Sequence, residues 1–275
     1  MLLTPLKRVR SLVRRGVGQL RMLGVPRREW DEMRILWRMH RQDMVEIEEL
    51  YRSFLFPELP RNERRAELLQ GLYGTSVGEG LHIVAHLHAA MAVPGDVCEF
   101  GCNEGHTSRL IASELLDIPG RRLWLFDSFE GLPAPGEKDR IIDDVANVGD
   151  PARYAGLMRA AEWQVRSKLA QVAFPDARLK LVKGWLDQTL AGPDVPDQVA
   201  FAYVDVDFYE PIRDALAFLE RRMPPGGRVV VDDYGFFSEG AQLAVDEFVA
   251  AQDGAFRLHM PFPAAGKFCI LERLR

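Results

Sequence analysis

The chain has 275 residues, 47% of them hydrophobic and 27% charged, which is enough apolar material for one large core, alone or with a helical appendage. Its formal net charge of -5 argues against a nucleic-acid-binding protein, because neutralising phosphates requires a surplus of Lys and Arg. Three cysteines are too few for a disulfide framework and predict a reducing, cytoplasmic location. We expect neither a transmembrane segment nor a signal peptide, since no apolar run is long enough and basic residues interrupt the N-terminus.

The first 75 residues are predicted to form a helical cap. Between residues 6 and 23, apolar side chains recur every three or four positions with arginines between them, the pattern of a basic amphipathic helix. Such a helix can bind an anionic membrane or a partner subunit. Packing on its own protein or on a second copy is the simpler interpretation, so we expect a homo-oligomer formed through N-terminal helices. A second helix is predicted at residues 44–56.

From residue 76 onward the sequence predicts one α/β domain. Short apolar runs that end in Gly or Asp alternate with helical stretches, which is typical of a doubly wound, mostly parallel sheet. The seven predicted strands are residues 97–100, 123–127, 179–183, 201–205, 228–232, 256–260 and 268–272. Predicted helices include residues 107–116, 153–171, 211–222 and 240–251. Residues 133–149 contain Pro, Gly and charges without a period, and are predicted to be a mobile loop near the site.

A glycine-bearing turn follows the first predicted strand, in the stretch EFGCNEGHT that contains Gly101 and Gly105. In open α/β sheets the ligand lies outside the carboxyl ends of the strands, and glycine lets the backbone approach it. The Gly-x-x-x-Gly spacing differs from the Gly-x-Gly-x-x-Gly that faces a pyrophosphate. It suits a nucleoside that carries methionine in place of phosphates, with Glu99 near the amino group and Asn103 or Thr107 at the methionine end. Alone, the pattern is equally compatible with a purely structural turn.

Two further residues fit a nucleoside site. Asp127 ends the second predicted strand, where a carboxylate can accept hydrogen bonds from both ribose hydroxyls; the alternative is an Asp that caps the next turn. Trp185, after the third strand, is predicted to line an adenine pocket or to pack in the core.

Four carboxylates are predicted to meet at the rim of the sheet. Asp205 and Asp207 follow one apolar run, and Asp232 and Asp233 follow the next. Like charges this close repel one another, and a bound cation relieves the repulsion. Hard oxygen ligands indicate Mg²⁺, or Mn²⁺ as a substitute. Strand-end caps or ion pairs with nearby arginines are the structural alternative.

With these motifs in place the chain resembles the macrocin O-methyltransferase family of TylF, MycF and NovP-like enzymes, which methylate hydroxyls on sugars and phenols of bacterial natural products. The matching stretches are VPGDVCEFGCNEGHTS, LWLFDSFEGLP, LKLVKGWLDQTL, FAYVDVDFYEPIRDAL and MPPGGRVVVDDYG. The resemblance implies a class I, Rossmann-like methyltransferase fold that uses S-adenosylmethionine and Mg²⁺. By position, Asp205, Asp232 and Asp233 would bind the metal, and Asp207 would be the general base. Thr75 and Ser128 join the expected cofactor site, and Asp205 is expected to serve cofactor, metal and catalysis.

The chain also departs from the family pattern. Family members usually have a Trp and paired glycines after the Glu-x-Gly, where this chain has Cys102-Asn103-Glu104-Gly105-His106. Its C-terminal stretch, residues 266–270, lacks the usual aromatic-rich ending. These departures concern the acceptor, and a cell-surface saccharide is one alternative to an antibiotic. His106 is an alternative base. Three other functions stay open: a nicotinamide-dependent oxidoreductase, a metal-dependent sugar-nucleotide transferase, and a non-catalytic binding protein with this fold.

Overall fold

The computed structural model describes residues 27–275. The amphipathic helix predicted between residues 6 and 23 lies outside the described residues. The chain divides into two compact units, Met1–Ile47 and Glu48–Arg275, and the sheet and the cleft described below belong to the second unit. The boundary near residue 75 stays a prediction. In the described part of the chain, no helix is long and apolar enough to cross a membrane.

The strands of the second unit form one seven-stranded sheet in the order β3-β2-β1-β4-β5-β7-β6. The strands are β1 (Asp96–Phe100), β2 (Leu123–Asp127), β3 (Leu179–Lys183), β4 (Val199–Val204), β5 (Arg228–Val231), β6 (Phe256–His259) and β7 (Cys269–Arg273). The pairs among β1 to β5 are parallel, whereas β7 runs antiparallel to β5 and β6. This confirms the predicted seven-stranded, mostly parallel sheet.

In the described part of the chain, eight α-helices precede or connect the strands. Their bounds are α1 (Arg27–Phe54), α2 (Arg65–Gln70), α3 (Val77–Ala90), α4 (His106–Leu115), α5 (Glu162–Gln171), α6 (Leu186–Thr189), α7 (Tyr209–Glu220) and α8 (Glu239–Ala251). The helix predicted at residues 44–56 is the C-terminal part of α1, which begins much earlier.

Burial explains why the strands could be identified as apolar runs. Every residue of β1 and of β4 is buried, as expected for parallel strands covered on both faces. The edge strand β3 instead exposes Lys180 and Lys183, charges that discourage pairing with another chain.

The predicted helix at residues 153–171 is wrong in its first half. A short 3₁₀ turn, Pro151–Tyr154, is followed by irregular chain, and α5 begins only at Glu162. The reason is pairing with another loop: the N–H of Gly156 donates to the carbonyl of Leu132, and the N–H of Leu132 donates to the carbonyl of Leu157. Backbone groups bonded in this way cannot also form helical hydrogen bonds.

A buried ion pair fixes the helices behind the glycine turn. Arg65 of α2 is fully buried and donates two hydrogen bonds to Glu114 of α4, at 2.9 and 2.8 Å. His88 Nε2 of α3 lies 2.8 Å from the same carboxylate. Because α4 begins directly after the turn, this cluster helps to hold the turn against the sheet.

Candidate active site

The loops that follow β1, β4 and β5 lie side by side at the carboxyl edge of the sheet. The backbone hydrogen bonding continues one residue beyond the strands, because the N–H of Asp205 donates to the carbonyl of Phe100 (2.8 Å) and that of Asp232 to the carbonyl of Val204 (2.9 Å). The first aspartate of each acidic pair is thus held by its backbone to the neighbouring strand.

A cleft of about 400 Å³ opens outside these strand ends. Most of the predicted site residues line it, namely Thr75, Gly101, Asn103, Thr107, Asp127, Ser128, Trp185, Asp205, Asp207, Asp232 and Asp233. Glu99 and Gly105 do not line it. Gly105 precedes α4 and lies against Val165.

Gly101 lets the turn after β1 approach the loop after β4. Its φ is 79°, and a Cβ built at this position would lie 1.8 Å from the backbone carbonyl oxygen of Asp205. Any side chain here would therefore displace one of the two loops. The glycine brings the predicted nucleoside-binding turn into direct contact with the first acidic pair.

Asp127 organises the turn as well as lining the cleft. Its Oδ2 accepts hydrogen bonds from the N–H groups of Cys102 and Asn103, both at 2.9 Å, and its Oδ1 accepts one from the N–H of Phe129 at 2.7 Å. A carboxylate has about four lone-pair sites and three are used here, so Asp127 retains capacity for one further donor, such as a ribose hydroxyl. Both sequence interpretations of this residue, the cap and the ligand, are compatible with this geometry.

Glu99 points away from the cleft, beneath the turn. It is fully buried and accepts hydrogen bonds from the hydroxyls of Thr107 and Ser108 at the start of α4. Burial raises the pKa of Glu99 to about 7. Here it anchors α4 to β1, and its assignment to the cofactor's amino group stays a prediction.

The first acidic residue after β4 and the first after β5 converge on the hydroxyl of Tyr203. This oxygen lies 3.2 Å from Asp205 Oδ2, 3.3 Å from Asp232 Oδ2 and 3.1 Å from Glu79 Oε1. Asp205 and Asp232 therefore face a common point. We call Glu79, Asp205, Asp207, Asp232 and Asp233 the carboxylate cluster.

Crowding and burial make this cluster hard to ionise. Burial, reinforced by the charge of Asp232, raises the pKa of Asp207 to about 7. Burial, together with Asp232 and Asp207, raises the pKa of Asp233 to about 9. The pKa of Asp205 is raised well above its usual range, first by burial and then by its acidic neighbours. Among the described side chains, none of the five forms an ion pair with Lys, Arg or His.

The donor chemistry of the cluster fits a hard divalent cation. Several carboxylates without a cationic partner are the oxygen-rich environment that Mg²⁺ and Mn²⁺ prefer. Within residues 27–275, however, no three His, Cys, Asp or Glu side chains already surround one metal position. The cluster therefore fits such a cation in the kind of ligand it offers, whereas three of its carboxylates do not yet face one common metal position.

Sequence reasoning missed Glu79 and Tyr203. Glu79 follows Ser76 by three positions, the spacing of a helix capping box, and Ser76 Oγ does accept from the N–H of Glu79. The Glu79 carboxylate nevertheless turns inward to Tyr203, with only 3% of the residue exposed. The available signal was an acid in an otherwise apolar helical stretch.

The rest of the cleft is largely apolar, with a wall of Leu132, Pro133, Val145, Met158, Phe236 and Phe237. His106 also lines the cleft, but its Nδ1 lies 2.8 Å from the carbonyl oxygen of Gly71, and its Nε2 lies 3.5 Å from Glu104. Both ring nitrogens thus face structural partners. The cleft combines an apolar wall, a nucleoside-type turn and an acidic floor.

The buried acid beneath the turn predicts a pH dependence of stability. The folded-state pKa of Glu99, about 7, lies above its unfolded value, so its contribution is complete below the unfolded pKa and is lost as the pH rises to 7. We expect the free energy of unfolding to fall by up to about 1.4 kcal/mol per pH unit more in the wild type than in Glu99→Gln between pH 5 and 7. Urea unfolding at pH 5, 6 and 7 measures this, with the exposed Glu137→Gln as the control. Identical slopes for wild type and Glu99→Gln would contradict it.

Comparison with known proteins gives relatives of one kind. The chain is 33% identical over 147 residues to an 8-demethyl-8-(2,3-dimethoxy-alpha-L-rhamnosyl)-tetracenomycin-C 4'-O-methyltransferase of Streptomyces olivaceus, covering 53% of this chain and 55% of the relative. It is 32% identical over 169 residues to the demethyldecarbamoylnovobiocin O-methyltransferase of Streptomyces niveus, covering 60% and 62%. The matches thus span little more than half the length of these relatives.

Solved structures and a family model extend the comparison. The O-methyltransferase NovP superposes with a TM-score of 0.62 at 28% identity, over 73% of this chain and 81% of that one. The calicheamicin methyltransferase CalS11, 20% identical, has a TM-score of 0.55 over 86% and 91%, and shares the fold. The model of the macrocin O-methyltransferase family, TylF, matches residues 73–260. Since this match covers more than half of the sequence, the chain belongs to the macrocin O-methyltransferase family.

Proposed function

We propose that this protein transfers the methyl group of S-adenosylmethionine to a hydroxyl group of a sugar or phenolic acceptor, with Mg²⁺ bound by the carboxylate cluster. The observation that carries the proposal is the direct contact between the glycine turn and the first acidic pair, through Gly101 and the carbonyl of Asp205. It brings the glycine turn and the carboxylate cluster together at one cleft. Two relatives, named as O-methyltransferases of a rhamnosyl-tetracenomycin and of demethyldecarbamoylnovobiocin, support the same reaction.

The donor end of the cleft has the groups that an S-adenosyl nucleoside needs. Asp127 is fixed by three backbone hydrogen bonds, so its remaining lone pair can orient a ribose hydroxyl without movement of the side chain. Trp185 lines the same end and is suited to stack on adenine. Thr75, Asn103 and Ser128 are the polar residues that we assign to the remainder of the cofactor.

At the acceptor end, the chain must orient a hydroxyl and remove its proton. The methyl group moves from the sulfonium sulfur to the acceptor oxygen in an in-line displacement, leaving S-adenosylhomocysteine, and the hydroxyl proton passes to Asp207. Positioning alone can lower such a barrier by several kcal/mol. We assign Asp205, Asp232 and Asp233 to Mg²⁺, which when bound would lower the pKa of the acceptor hydroxyl. Glu79 and Tyr203 contact the cluster from its buried side, through the Tyr203 hydroxyl.

Three further expectations from the sequence remain proposals. We propose a helical cap in residues 1–75 and a catalytic domain in residues 76–275. We also propose that the protein is cytoplasmic. We also propose a homo-oligomer formed through the N-terminal helices. Exposed apolar side chains on α1, Ile35, Leu36 and Met39, support such an assembly.

The reaction itself is tested with isotopically labelled S-adenosylmethionine in a bacterial cell extract that contains natural-product or saccharide acceptors. We expect a product heavier by one labelled methyl group, detected by mass spectrometry, and calorimetric binding of S-adenosylhomocysteine but not of NADH. Binding of NADH without S-adenosylhomocysteine would favour the oxidoreductase instead.

Magnesium binding is testable without the acceptor. We expect saturating Mg²⁺ to stabilise the wild type, by about 2.7 kcal/mol at one hundred times the dissociation constant, and this gain to be lost in Asp232→Asn because a cluster charge is removed. Thermal unfolding with and without MgCl₂ measures the effect. Asp253→Asn, a fully exposed acid, is the matched control. An equal gain in Asp232→Asn and the control would remove the cluster from metal binding.

The general base is tested by Asp207→Asn. The amide keeps the shape of the side chain but cannot accept the hydroxyl proton, so the transfer rate should fall by about 10²–10⁴ while S-adenosylhomocysteine affinity stays unchanged. Glu210→Gln, an exposed acid three positions along the chain, should keep the wild-type rate. A wild-type rate in Asp207→Asn would assign the proton transfer to another group.

A further inference from the structure

The loop after β2 is tied to both acidic turns by one buried side chain. Asp139 lies in the segment of residues 133–149 and is only 5% exposed. Its Oδ1 accepts a hydrogen bond from the N–H of Tyr209 (2.8 Å) and one from the hydroxyl of Ser238 (3.2 Å). Its Oδ2 accepts one from the N–H of Gly136 (2.8 Å). One carboxylate thus joins three segments that are distant in the sequence.

Two of these bonds lie at helix starts. α7 begins at Tyr209, and the residue that precedes it, Phe208, provides no side-chain cap. Asp139 supplies that cap from a different part of the chain, with its negative charge at the favourable end of the helix. Ser238, the N-cap of α8, accepts from the N–H of Gly240 while donating to Asp139.

The backbone packs tightly around the Asp139 carboxylate. A Cβ added to Gly240 would lie 1.8 Å from Asp139 Oδ1. The backbone on either side is also paired: the N–H of Glu239 donates to the carbonyl of Arg140, and the N–H of Ile142 donates to the carbonyl of Phe237. Although residues 133–149 form no helix or extended strand, this portion is held at several points.

The turn that carries Asp207 needs such support. Asp207 has φ of 62°, and the N–H of Phe208 donates to the carbonyl of Val206 at 2.7 Å, which closes a three-residue turn. A γ-turn with positive φ is strained for any residue other than glycine and persists only when its surroundings fix it. Phe208 is 1% exposed and packs against Phe237, and the next N–H is held by Asp139.

We propose that Asp139 is a positioning residue that holds the strained turn of Asp207, and with it the base, against the acceptor wall of the cleft. The proposal rests on the proposed function, because Asp207 is the base only if methyl transfer occurs here. Asp139 lines no part of the cleft. It acts through the N–H of Tyr209, two residues from Asp207, and through Ser238, next to Phe237 in the wall.

Hydrogen exchange and label transfer together test this role. In Asp139→Ala we expect faster amide exchange at residues 205–212, a fall of about 10²-fold in the rate of label transfer per folded molecule, and unchanged affinity for S-adenosylhomocysteine. Asp139→Asn keeps an oxygen that can accept from Tyr209 and Ser238, so it should recover much of the rate and of the protection.

Arg178→Ala is the matched control for general loss of stability. Arg178 donates to the carbonyls of Leu115, Ile118 and Arg121, at the amino edge of the sheet. Its loss should lower the melting temperature without faster exchange at residues 205–212. A wild-type exchange rate at residues 205–212 in Asp139→Ala, or equal effects in Asp139→Ala and Arg178→Ala, would overturn the positioning role. Absence of label transfer by the wild type would instead reject the proposed function, while the exchange result would still decide whether Asp139 holds the turn.

Discussion

The structure depends on how it holds several carboxylates close together at one edge of a buried sheet. Like charges in a low-dielectric environment repel strongly, and flexible loops would separate them. Here the acidic residues cannot separate, because the backbone N–H groups of Asp205 and Asp232 are hydrogen-bonded to neighbouring strands. Holding them together makes their negatively charged forms less favourable, and the pKa values of Asp205, Asp207 and Asp233 are accordingly raised. Under the proposed function, a bound cation would relieve this repulsion.

Parallel-sheet geometry explains how much of this the sequence could predict. Strands buried on both faces are continuous apolar runs, which predicts β1, β2, β4 and β5 within two residues of their bounds. The half-exposed edge strand β3 is predicted with its observed bounds, and β6 and β7 within one residue. Because parallel strands end at the same edge, the acids after β4 and β5 could be placed in one cleft. The seven-stranded sheet and the family resemblance are both confirmed.

What the sequence did not predict depends on contacts between distant segments. Glu79 matches the local rule for a helix cap, and its partner Tyr203 lies 124 positions away. Asp139 is one acid among many in a loop without a period, and the N–H that it binds belongs to Tyr209, 70 positions further on. The false helix at residues 153–161 has the same origin, since the bonds of Gly156 and Leu157 with Leu132 override local preference. Neither periodicity nor spacing encodes such pairings.

The two parts of the cleft are built on different kinds of structure, one on packed strands and the other on loops. Gly101 and the carbonyl of Asp205 are in direct contact, so the distance between the nucleoside end and the carboxylate cluster is set by the packing of β1 against β4. Close-packed strands have little freedom to shift. The acceptor wall is built differently, since Val145 belongs to a loop and Phe236 and Phe237 to a connection between β5 and α8. Under the proposed function, changes in the wall would alter which acceptor fits while the spacing between the glycine turn and the carboxylate cluster is preserved. This separation is compatible with a family whose relatives are named for different acceptors.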